Sequence, residues 1–94
     1  MIRREGECLK VSCDMTIPHA RKLLEAGKAY LAGNAHLTLD LAEVKGVDSS
    51  ALAVLLEWLR QTRKQGGSLK ILHAPEDLKA LAALYSLDAL IAFG

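Results

Sequence analysis

Hydrophobic positions along this chain switch between a period of two and a period near 3.6, and the switches mark its elements. Residues 2–5 and 8–13 read as short strands, with Glu5, Gly6 and Glu7 as the turn between them. From Thr16 the spacing changes. Ala20, Leu23, Leu24, Ala26 or Gly27, Tyr30 and Leu31 fall on one helical stripe. Thr16 is a suitable N-cap, Pro18 is tolerated in the first turn, and Gly33 with Asn34 stops the helix. Leu37, Leu39 and Leu41 then alternate with Thr38 and Asp40, which predicts a strand.

A loop through Lys45 and Gly46 leads to Asp48, and a second helix is predicted from about Ser49 to Gln65. Leu52, Leu55, Leu56 and Leu59 give it one buried face, and Gly66 with Gly67 ends it. Leu69, Ile71 and Leu72 predict another strand. Ala74 and Pro75 open a last helix with Leu78, Leu81, Ala82 and Tyr85 on its inner face, and Leu90 to Phe93 reads as a final edge strand. Strands alternating with helices predict an α/β domain in which parallel strands are joined by right-handed crossovers. There is no internal repeat and no linker, so residues 1–94 are expected to form one domain.

Composition narrows the function. The chain is 51% hydrophobic but only 4% aromatic, so Leu, Ala, Val and Ile must build the core. Its formal net charge is +1, without the basic stripe that nucleic-acid binding usually shows. No apolar run approaches the ~20 residues of a membrane span, and the N-terminus lacks the apolar core of a signal peptide. A cytoplasmic protein without direct membrane insertion is expected. Cys8 and Cys13 are five apart, which on one continuous strand would send them to opposite faces, so no disulfide is expected. His19, His36 and His73 lack the paired spacing of metal ligands. There is no Gly-rich phosphate loop and no nucleophile with an evident base. No catalysis, metal or cofactor is expected.

The chemistry concentrates at Asp48, Ser49 and Ser50, between a strand and a helix. The first N–H groups of a helix lack intrahelical partners, and the helix dipole is positive there. Such a place suits a capping side chain, an anion or a phosphate. One hydroxyl can cap while the exposed rim meets a partner. Trp58 is the only tryptophan and lies beside the leucine stripe with Ala51, Val54 and Thr62. It reads either as a core-edge aromatic or as an apolar anchor at an interface. Glu57, Arg60 and Lys64 form a solvated face. The expected partner surface comprises Asp48, Ser49, Ser50 and Ala51, extending to Val54 and Trp58.

Asp48, Ser49, Ser50, Ala51 and Leu52, after a strand and before a leucine-rich helix, resemble the signature of STAS domains, the sulfate transporter and anti-sigma factor antagonist domains. The resemblance covers nearly the whole chain and implies a mixed β-sheet with helices packed mainly on one face. Ala51 to Arg60 is most similar to the MlaB branch. This likeness implies a non-catalytic subunit bound to an MlaF-like ATPase. That ATPase belongs to an ABC transporter which moves phospholipid and maintains outer-membrane lipid asymmetry. The subunit would then be peripheral to the inner membrane through its partner. In anti-sigma factor antagonists the hydroxyl matching Ser50 is phosphorylated, and the alternative partner is an anti-sigma factor kinase. In MlaB-type proteins the position matching Ser49 is the sensitive one. Many family members have Gly where this chain has Ala51. With Ser at both positions, the motif alone does not choose between the two classes.

Overall fold

A computed structural model describes every residue except 34, 35, 92 and 94. Its elements follow the order β1 (Ile2–Glu5), β2 (Cys8–Val11), α1 (Ile17–Leu31), β3 (His36–Asp40), α2 (Ser49–Lys64), β4 (Ser68–Leu72) and α3 (Glu76–Leu84). The strands form one sheet in the order β1-β2-β3-β4. β1 and β2 are an antiparallel hairpin, while β2–β3 and β3–β4 are parallel. The α/β class is as the alternating periods predict, and the mixed sheet is as the resemblance implies.

The period-two pattern divides the sheet into two faces. Leu9, Val11, Leu37, Leu39, Leu69 and Ile71 are buried, whereas Lys10, Thr38, Asp40 and Lys70 point the other way. Both crossovers step in the same direction across the sheet, so α1 and α2 lie on the same face. α2 is the central helix and packs against α1, α3 and β4. Its buried stripe of Leu52, Leu55 and Leu59 closes the core over Leu39 and Ile71.

Several boundaries differ from the sequence pattern. β2 ends at Val11, and one further bond in the hairpin register joins the Ser12 N–H to the Met1 carbonyl at 2.8 Å. Alternation along one strand therefore does not reach Cys13. Cys8 and Cys13 are free, half-buried thiols, and burial pushes the Cys13 thiol up. α2 stops at Lys64, and Gly66 takes a left-handed φ of +74° that a side chain would resist. α3 ends at Leu84, which leaves Tyr85 outside the helix and 54% exposed. The apolar period runs past the point where the helix stops. Among the described residues of the expected final strand, Phe93 alone pairs, in a single parallel bridge to Ile71. Ala92 of that segment, like the Asn34 helix stop, lies outside the described residues.

Candidate functional site

The site is built on one carboxylate. Asp48 is the N-cap of α2, and its Oδ1 accepts the Ser50 N–H at 2.9 Å and the Ser50 hydroxyl. Its other oxygen, Oδ2, accepts the Ile17 N–H at 3.0 Å. Asp48 therefore caps two helices at once. Thr16, the expected cap of α1, makes no side-chain cap bond. The carboxylate that replaces it comes from 31 residues along the chain, a relation that local sequence rules do not reach. The Ser50 hydroxyl first, and then the two backbone N–H groups, hold the Asp48 carboxyl below the usual carboxylate range.

Backbone pairing brings these two helix starts together. Met15 bridges Val47 in parallel register. Its N–H donates to the Gly46 carbonyl at 2.9 Å, and its carbonyl accepts the Asp48 N–H at 3.3 Å. Asp14 Oδ1 accepts the Gly46 N–H at 3.0 Å. A Cβ at Gly46 would sit 3.1 Å from the Asp14 carboxyl carbon, so the absent side chain permits this approach.

The two serines are thereby separated in role. Ser50 is half-buried, with its hydroxyl directed to Asp48. Ser49 is exposed at the first position of α2. The expected continuation of the surface through Ala51, Val54 and Trp58 is corrected here, because all three side chains are buried in the domain. Trp58 is 1% exposed. Its indole occupies the space where Gly27 of α1 lacks a side chain, and a Cβ there would overlap the ring. The indole Nε1 is buried without a hydrogen-bond partner among the described residues.

A cleft of about 620 Å³ between α1 and α2 has Leu24 and the rim of Trp58 among the charged Glu25, Lys28, Glu57, Arg60 and Lys64. The most exposed large apolar side chains bordering a cleft lie toward α3. A cleft of about 380 Å³ is lined by Ser49, Leu52, Ala53, Leu56, Tyr85 and Leu87. A second, of about 350 Å³, is lined by Val47, Asp77, Ala80, Leu81 and Leu84. Leu84, 74% exposed, borders one cleft and Tyr85 borders the other. Ile17, 72% exposed, stands at the α1 start that Asp48 holds. These are three of the five large hydrophobic residues most exposed among those described. Sequence reasoning missed Ile17, Leu84 and Leu87, and it placed Tyr85 inside. One signal was present. Residues 80–85 are apolar without interruption, more than the single inner stripe of a short helix can bury.

Comparison with known proteins now places this arrangement. The family described as "Mlab, STAS domain" matches residues 1–92. The chain belongs to this MlaB-type STAS family. No curated protein matches it. Among solved structures, the Thermotoga maritima protein TM1081 is 18% identical, with a TM-score of 0.81 over 99% of this chain and 83% of that one. A sulfate transporter family protein from Wolinella succinogenes is 16% identical, with a TM-score of 0.71 over 92% and 70%. The anti-sigma factor antagonist SpoIIAA, in its unphosphorylated form, is 10% identical, with a TM-score of 0.66 over 85% and 78%. At these identities the likenesses show the STAS fold. Within that fold, Asp48 of this chain forms the double cap. Among the described residues no helix of this STAS domain is long and apolar enough to cross a membrane.

Proposed function

We propose that this chain is the non-catalytic STAS subunit of an Mla-type ABC transporter. It binds and supports the MlaF-like ATPase of a system that moves phospholipid to maintain outer-membrane lipid asymmetry. It works in the cytoplasm and reaches the inner membrane through that ATPase. The observation that carries the reading is the division of labour between the serines. Ser50 is directed inward to Asp48, and Ser49 stands exposed beside an apolar cleft. A face with a small hydroxyl among aliphatic side chains suits constitutive protein docking, with an apolar centre and few charges.

The second reading is an anti-sigma factor antagonist switched by phosphorylation at Ser50, with an anti-sigma factor kinase as partner. It requires room for a phosphate on the Ser50 hydroxyl. In this chain that hydroxyl donates to Asp48, and a phosphate would add about −1.5 to −2 charge beside the carboxylate. The first reading therefore has the better support.

The test is affinity for the separately purified transporter ATPase. Ser49→Arg is expected to lower it on the order of 100-fold by placing a long cation in the apolar cleft, with the fold intact. Ser50→Ala is expected to bind within about twofold of wild type after correction for its lower stability. Phosphate on Ser50 in cells, with a sigma-regulator kinase co-purifying in place of an ATPase, would establish the second reading instead.

A further inference from the structure

The two clefts call for different side chains. The one beside Ser49 contains neither a carboxylate nor a cation. The one between Val47 and α3 has four apolar lining residues and a single charged one, Asp77. Asp77 is exposed, and among the described residues no cation lies within 4.0 Å of it. Its neighbour Glu76 has Lys79 at 3.8 Å. Asp77 sits in the first turn of α3, where any acidic residue favours the helix dipole. That role needs no cleft and leaves the lone carboxylate in an apolar wall unexplained.

We infer that this cleft receives a lysine or arginine side chain of the ATPase, its aliphatic stem against Val47, Leu81 and Leu84 and its charged end at Asp77. The inference rests on the docking face proposed above and names what that face selects. A purely apolar anchor would desolvate Asp77 without a partner, which is costly. A free anion would be repelled. A basic side chain supplies both an apolar stem and a compensating charge. Asp77 is then a specificity residue: it selects partners that place a cation beside their apolar anchor, and it repels those that place a carboxylate there.

The experiment measures ATPase affinity for wild type, Asp77→Asn, Asp77→Glu, Asp77→Lys and Leu84→Asp across a salt series, with urea midpoints to verify folding. Asp77→Asn is expected to bind about tenfold more weakly near 0.1 M salt and to converge on wild type at high salt. Asp77→Lys should lose on the order of 100-fold, and Asp77→Glu should stay within about threefold. A role confined to the α3 dipole would shift the urea midpoint without changing the salt slope. If Leu84→Asp abolishes binding while Asp77→Asn and Asp77→Lys keep wild-type affinity and salt slope, the basic anchor is refuted and the docking face stands. If Leu84→Asp also binds as wild type, or wild type does not bind the ATPase, the docking face fails and the inference falls with it.

Discussion

The two flanks of α2 are finished in opposite ways. On the α1 side a large side chain meets an absent one. Trp58 fills the space over Gly27, and above the packed ring a cleft of about 620 Å³ runs between the two helices. Polar and charged side chains line that cleft. Gln61 Nε2 donates to the Lys28 carbonyl at 3.2 Å, and Glu57 pairs with Arg60. On the α3 side α2 presents Ser49 and Ala53, and α3 ends after nine residues. One cleft stays open there with Tyr85 at its border, and a second, between Val47 and α3, is bordered by Leu84. The α1 flank thus has a packed base under a cleft rimmed by charge, whereas the α3 flank leaves apolar side chains exposed. An apolar residue type does not reveal which flank it serves. What decides is whether the neighbouring helix offers matching space.

The largest expected effect comes from breaking the Trp58–Gly27 contact on the α1 flank. Trp58→Ala should cost about 3–5 kcal/mol, a large share of the ~5–15 kcal/mol that stabilises a typical domain. Gly27→Ala should cost about 1–3 kcal/mol, since the new methyl and the indole claim the same space. In the double variant the methyl enters an emptied site, so the combined cost should be less than additive. Chemical denaturation of the three variants measures this. Additive costs would show that the ring and Gly27 do not meet. A folded Gly27→Ala protein that had lost partner binding would move the docking surface to the α1 side and undo the comparison.

A second, smaller break acts where the open flank begins. Asp48→Ala removes the side-chain acceptor of two helix starts. At ~1 kcal/mol for each cap, the loss should be about 2 kcal/mol. Thr16→Ala, at the position that sequence rules would favour as the α1 cap, should cost under about 0.5 kcal/mol because no cap bond is lost. Amide exchange at Ile17 sharpens the point. It should accelerate in Asp48→Ala and stay unchanged in Thr16→Ala. The reverse order would return the α1 cap to Thr16.

These contrasts show where sequence reading reaches and where it stops. The sheet and helices were legible because each depends on local periodicity. Leu37, Leu39 and Leu41 alternate, and Leu52, Leu55 and Leu59 recur at helical spacing. Asp48 was legible as a cap for α2 because cap and helix are adjacent. Its second role was hidden, since the Ile17 N–H approaches only after Met15 and Val47 have paired. Trp58 was ambiguous for the same reason. The residue that buries it lies on another helix and is identified by lacking a side chain. Tyr85 was misplaced because a periodic stripe carries no information about the residue at which the helix ends.

The smallest expected effect concerns pH, and it tests whether the charge on Asp48 holds the two helix starts together. The carboxyl is held below its ordinary value chiefly by the Ser50 hydroxyl and then by the Ile17 and Ser50 N–H groups. A group whose folded pKa is depressed contributes stability that is fully present above its unfolded value of about 3.9 and is lost as pH falls through the folded value. Asp40 has the same sign, held down first by the Ala42 N–H and then by His73, so acid unfolding of wild type alone cannot separate the two. The variant Asp48→Asn does. Its amide can still accept from Ser50, but it turns a donor toward the Ile17 N–H, and it does not titrate. The stability difference between wild type and Asp48→Asn should be constant above about pH 5 and shrink as pH falls below about 4. Urea midpoints across that range measure it. A difference that stayed flat down to pH 2 would mean that neutral hydrogen bonding does all the holding. One that grew toward acid would mean that the native state disfavours the charged carboxylate, and the double cap would lose its electrostatic basis.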